Sequence, residues 1–118
     1  MSFQQILEDR INEIGNPICM GMDPVLKRIP LEGSEESKVE EFYMGLLEAM
    51  DQAGVFPAAV KPNSAYYECI SIEAQLVLQR LIKAYRERGI LIVLDAKRGD
   101  IGKSSSAYAT AAFDVFGA

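Results

Sequence analysis

Three short stretches place ionisable side chains directly after apolar runs. "CMGMDP" delivers Asp23, "AAVKPN" delivers Lys61 and Asn63, and "LIVLDAKRGDIGKSS" delivers Asp95, Lys97, Asp100 and Ser104. In an extended chain, residues two apart face the same side, so Asp95 and Lys97 project together with Cα atoms about 6–7 Å apart. Two neighbouring carboxylates repel unless a cation stands between them, and an ammonium in that position is held in its charged form. Asp100 lies past the strand, where the chain can turn at Gly99 and bring it back toward the same pocket or send it outward to a neighbouring subunit; Lys97 suits the position between the carboxylates, and Lys61 from another strand could extend the set into an alternating Lys–Asp–Lys–Asp array. If buried, such an array is costly to break, at about 3–5 kcal/mol for one deleted member, so stability alone does not justify it. Its chemical use is to hold a proton-bearing cation where charge develops during a reaction. An isolated D-x-K-x-x-D also reads as a solvated loop with incidental acids. Context decides for a site, because two further strands end in a charged residue beside proline, Asp23–Pro24 and Lys61–Pro62.

These residues can meet only if the elements carrying them lie side by side. Ser2 can cap a first helix whose Phe3, Ile6, Leu7, Ile11 and Ile14 fall at three-and-four spacing, with Gly15 as the stop. A short apolar strand, 18–22, ends at Asp23, and "VLKRIPLEGSEES" reads as a loop. A second helix from about residue 37 carries Val39, Phe42, Tyr43, Leu46, Leu47 and Met50 on one stripe and stops near Gly54. "VFPAAV" reads as a second strand, and its Pro57 argues for an edge or an irregular hydrogen-bond pattern. A third helix, about 72–88, turns Ala74, Leu78, Leu81, Ile82 and Tyr85 inward and precedes a third strand at 90–94. A fourth helix is expected from near Ser104 to about Phe113, capped by a serine hydroxyl in "KSSSAYATAAF". Tyr66 and Tyr67 read as a helix-start pair packing on the sheet, or as lining of a pocket.

Strand then helix, three times over, is the pattern of a parallel sheet covered by helices. A doubly wound sheet and a (β/α)8 barrel both begin this way, and both put their chemistry at the C-terminal strand ends, where the charged residues stand. No phosphate-cradling glycine fingerprint follows the first strand, which favours the barrel. Three strands cannot close a barrel of about 250 residues. The 118 residues are therefore expected to be the N-terminal part of one TIM-barrel domain, its first helix and about three βα units, completed by further sequence or a partner fragment.

Composition narrows the chemistry. Histidine is absent, which removes His-based triads and the usual zinc sites and leaves Lys, Asp, Glu, Ser and Tyr for proton work. Net charge is −5, which argues against a sequence-blind grip on nucleic acid and favours small molecules or protein as partners. Cys19 and Cys69 lack any paired spacing and sit in apolar surroundings, so buried, reduced thiols in a cytoplasmic protein are expected. No basic-then-apolar signal precedes Ser2, and no apolar run approaches the roughly 20 residues of a membrane helix.

The motifs closely resemble the orotidine 5′-phosphate decarboxylase family, in its longer-chain, mainly bacterial branch. "FQQILEDRI" is similar to the family's N-terminal helix, "CMGMDP" to its first strand, "AAVKPN" to its second, and "LIVLDAKRGDIGKSSSAYA" to its signature. The resemblance implies a homodimeric (β/α)8 barrel converting orotidine 5′-monophosphate to uridine 5′-monophosphate and carbon dioxide without cofactor or metal. By position it implies that Asp23 binds a ribose hydroxyl and that Lys61 bridges ribose and charge network, with Asn63 beside it. Asp95 would sit against the substrate carboxylate and Lys97 would protonate C6. Asp100 and Ser104 would reach the ribose of the neighbouring subunit's site. The family usually has glycines after the second strand, where this chain has "YYECISIEAQ", and its phosphate-gripping arginine belongs to later strands. Sugar-phosphate decarboxylases on the same barrel pair a similar D-x-K-x-x-D with magnesium, but carry a carboxylate where Lys61 stands, and a lysine there would repel the cation. A third reading, an inactive half-barrel with an assembly role, belongs to a different class.

Overall fold

A computed structural model describes residues 1–118. Three parallel strands, β1 (Cys19–Met22), β2 (Ala59–Pro62) and β3 (Leu91–Ile92), lie in the order β1-β2-β3. The helices are α1 (Phe3–Ile14), α2 (Glu35–Ala53), α3 (Ala65–Glu68), α4 (Ile72–Arg86) and α5 (Gly102–Thr110), the last running on into a π turn at Ala111–Val115. Serine side chains start three of them. Ser2 forms a reciprocal capping box with Gln5, Ser34 accepts from the Ser37 N–H, and Ser71 accepts from the Ala74 N–H. Gly54 closes α2 in the left-handed region at φ 66°, a conformation that costs glycine little.

The core lies between one face of the sheet and two helices. Val39, Tyr43 and Leu47 of α2 and Ala74, Val77, Leu78, Leu81, Ile82 and Tyr85 of α4 close over Met22, Val60 and Ile92. All five residues expected to face inward from the third helix do so. The opposite sheet face carries the alternate positions Cys19 and Gly21, Lys61, and Val93, all exposed. The molecule is thus a slab of two layers measuring 43 × 35 × 19 Å. At the N-terminal ends of the strands α1 is tied on by polar contacts: Arg10 donates to the Arg88 carbonyl and Asn16 to the Phe56 carbonyl. Its apolar stripe packs less completely than the spacing predicts, with Phe3 and Ile6 exposed and Leu7, Ile11 and Ile14 half-buried.

Several expectations are corrected. Pro57 does not mark an edge: it precedes the ladder, and β2 is the central strand. The proline that matters is Pro62, which has no N–H to give. The β2–β3 ladder pairs Ala59 with Leu91 and Val60 with Ile92, then breaks, resuming as one bridge between Asn63 and Asp95. Helix α5 begins at Gly102, before the serines, and its N-cap Ile101 supplies no side-chain bond. The regular α-helix also ends at Thr110. Cys19 and Cys69 are unpaired but exposed rather than buried, the first because it points from the open sheet face, the second because it follows α3 at the surface.

Candidate active site at the strand ends

Asp23, Lys61, Asn63 and Asp95 stand at or just beyond the C-terminal ends of the strands, Lys97 and Asp100 follow on the segment after β3, and Ser104 lies in α5. Paired residues in a parallel ladder point to the same side, and the register sets Gly21 beside Lys61 and Asn63 beside Asp95. Asp23, two residues after Gly21, closes the first side of the group by accepting the Asn63 N–H at 3.2 Å. Asn63 in turn accepts the Ala65 N–H through its side chain, a local turn that starts α3. Tyr67 of α3 is fully buried and gives its hydroxyl to the Met22 carbonyl at 2.9 Å, bracing the end of β1. That is the packing role the sequence offers for this tyrosine, while Tyr66 remains exposed. Burial keeps the Tyr67 phenol neutral by pushing its pKa up, with the nearby tyrosines and Asp23 adding to the effect.

Asp95 is fixed twice by its backbone. Its N–H goes to the Pro62 carbonyl at 2.9 Å, and its carbonyl accepts the Ser64 N–H at 3.1 Å. From that fixed position its carboxylate meets the Lys97 ammonium at 2.5 Å. Lys97 has φ 52° and is the only residue other than glycine with positive φ. For a lysine the left-handed region costs about 1–2 kcal/mol. Its side chain is 66% exposed and that of Asp95 22%, so the ion pair is worth only about 0–1 kcal/mol to stability. The strain and the pair do not together account for themselves as fold-stabilising devices. They do account for an ammonium aimed at a chosen point.

The full four-member array is not assembled within the chain. Asp95 and Lys97 are in contact; Lys61 is on the same face but has no carboxylate within 4.0 Å. Asp100 and Ser104 are exposed, and the Asp100 carboxylate accepts the N–H of the next residue, Ile101. Lys61 and Lys97 are both exposed. Sequence reasoning did not single out Arg98, Glu68 or Ser64. Arg98 pairs with Glu68 at 2.5 Å, which holds the guanidinium charged by raising its pKa, and also donates to the Ala96 carbonyl at 3.0 Å. A basic residue directly after Lys97 was the one available signal. No three histidine, cysteine or acidic side chains are grouped so as to hold a metal ion, and no helix is long and apolar enough to cross a membrane.

The family model for "Orotidine 5′-phosphate decarboxylase / HUMPS family" matches residues 16–117. The chain belongs to that family. Orotidine 5′-phosphate decarboxylases of Herpetosiphon aurantiacus and Flavobacterium johnsoniae are 38% and 37% identical, over 85% and 97% of this chain and 36% and 41% of their own lengths. The chain therefore spans about two fifths of the curated relatives it matches. The Leishmania donovani OMP decarboxylase structure superposes at TM-score 0.76 with 36% identity, over 100% of this chain and 42% of that one. A crystal structure from Toxoplasma gondii reaches TM-score 0.84 at 31% identity, over 99% and 38%. The three-stranded slab is the opening portion of the decarboxylase family's TIM barrel, the architecture expected over the doubly wound alternative.

Proposed function

We propose that these residues are the N-terminal part of a single barrel domain that decarboxylates orotidine 5′-monophosphate to uridine 5′-monophosphate, in the cytoplasm, with neither cofactor nor metal. The observation that carries the reading is the Lys97 ammonium held 2.5 Å from Asp95 at the end of β3, on the sheet face shared by Lys61 and Asp23. Family membership and the decarboxylase names of the relatives support it. In this reading the C6 carboxylate of the substrate lies beside Asp95. Breaking the bond to the carboxyl carbon releases carbon dioxide and leaves the electron pair on C6. Lys97 then gives C6 a proton and becomes a neutral amine, to be recharged from solvent. The ammonium stabilises the developing carbanion far more than the substrate, which is the condition for raising the rate of the chemical step. Asp23 and Lys61 hold the ribose, with Asn63 beside them, and Asp100 and Ser104 serve the site of the other subunit in a homodimer. Lys61 also weighs against a magnesium-dependent sugar-phosphate reaction, since its ammonium would repel the ion.

The test is Lys97→Ala in the full chain, followed by loss of orotidylate absorbance. Turnover is expected to fall by at least about 10²-fold, while circular dichroism shows an intact fold. Turnover near that of the parent would remove Lys97 from the mechanism.

A further inference from the structure

Lys97 is the only non-glycine residue with positive φ, and something must hold it there. The loop that carries it runs beside a cavity of about 210 Å³ bordered by Ser64, Leu94, Ala96, Arg98 and Tyr108. Polar contacts brace it there. The Ala96 carbonyl receives the Arg98 guanidinium at 3.0 Å and the buried Ser64 hydroxyl at 3.4 Å. Arg98 thus reaches back across Lys97 and brackets it between residues 96 and 98. The peptide joining Ala96 to Lys97 is planar, so the direction of that carbonyl also sets the direction of the Lys97 N–H. The other side of the guanidinium is tied to Glu68 at the end of α3, and the Tyr108 ring lies 5.9 Å from it. Helix α3 is itself anchored through buried Tyr67 to the Met22 carbonyl. A chain of bonded groups therefore runs from the core to the strained residue.

We infer that Arg98, tied to Glu68, is a positioning residue: with Ser64 it pins the Ala96 carbonyl and so fixes the left-handed backbone that carries the Lys97 ammonium to Asp95. Its consequence for turnover rests on the role proposed for Lys97 above; its consequence for geometry does not. Arg98 itself touches no reacting atom. It acts through Lys97, and its loss lowers the rate of the chemical step while substrate binding persists.

Arg98→Gln, Glu68→Gln and the double variant, made in the full chain, test this by kinetics and crystallography together. Each single variant is expected to lower kcat by about 10-fold to 10²-fold, with KM within about twofold of the parent. The double variant is expected to be no worse than the poorer single one, because the two residues act as one unit. In the crystal, Lys97 is expected to leave positive φ and its ammonium to leave Asp95. An unmoved Lys97 in either variant, or losses that multiply in the double variant, would overturn the inference. If Arg98→Gln does not fold, kcat and the Lys97 conformation in Glu68→Gln decide between the two outcomes. Should the parent chain show no decarboxylation, the functional reading fails, and the conformation of Lys97 in the variants still decides the positioning role.

Discussion

Asp95 shows how one residue serves fold and site at once. Its backbone closes the Asn63–Asp95 bridge through bonds to Pro62 and Ser64, so the carboxylate is a fixed point against which the flexible Lys97 side chain is aimed. Asp95→Asn keeps the shape and removes the charge. Because the Lys97 side chain of the pair is 66% exposed to water, the loss in stability is expected to stay within about 1 kcal/mol, read as a small shift in a urea or thermal melt. Turnover of orotidylate is expected to fall by at least about 10²-fold; a variant within twofold of the parent would show that Lys97 needs no acidic neighbour. The pairing itself was legible from the two-residue spacing, although β3 ends at Ile92 and Lys97 at φ 52° is not extended, so strand alternation is not what brings the two together. The means of achieving it were not. The spacing D-x-K-x-x-D carries no information about φ, and nothing local in the sequence says that Arg98 will meet Glu68, thirty residues earlier in the chain.

At the level of elements, helix stripes were readable because burial follows the 3.6-residue period, and the core residues of α2 and α4 fall where that period puts them. Strand irregularity was less readable. Pro57 and Pro62 look alike in sequence, and only the register shows that Pro62 occupies a ladder position facing β3 whereas Pro57 lies outside it. The four-residue helix α3 was too short to show any period. Its Tyr67, together with Tyr43 of α2 and Tyr85 of α4, puts three phenols within the core, and Tyr85 gives its hydroxyl to the Tyr43 carbonyl at 2.6 Å. Burial pushes the Tyr43 phenol up to about 12, with the Asp23 charge adding to the effect, and pushes Tyr67 and Tyr85 upward as well. In the unfolded chain these groups ionise near their ordinary value of about 10. The folded state then binds more protons than the unfolded one, so stability falls as pH rises. The melting temperature is expected to be insensitive to these phenols below about pH 10 and to drop between about pH 10 and pH 12. Tyr43→Phe should flatten part of that drop, and an unchanged slope in the variant would mean that Tyr43 is not one of the groups responsible.

Across the whole molecule, the slab divides labour between its faces. One face of the sheet is sealed by α2 and α4, which fixes the strands; the other presents Gly21, Lys61 and Val93 to water, with the charged residues at its C-terminal rim. Within this chain only Lys97 of the two strand-end lysines has an acidic partner, and Asp100 stands on the exposed segment leading into α5 without contact to either lysine. The role proposed for Asp100 in a second subunit's site is compatible with its facing outward. This assignment can be separated from a role within its own subunit by mixing two inactive variants of the full chain, Asp100→Ala and Lys97→Ala, under conditions of subunit exchange. In a hybrid dimer one site would combine the intact Lys97 of the first variant with the intact Asp100 of the second, while the other site would lack both. Random exchange of equal amounts makes half the dimers hybrid with one good site in two, so about a quarter of the parent activity should return if the dimer is two-fold symmetric. If Asp100 acts within its own subunit, every site in every dimer still lacks one residue and no activity returns. Mass spectrometry of the exchanged sample, showing hybrid dimers present alongside zero recovery, would place Asp100 in its own subunit's site.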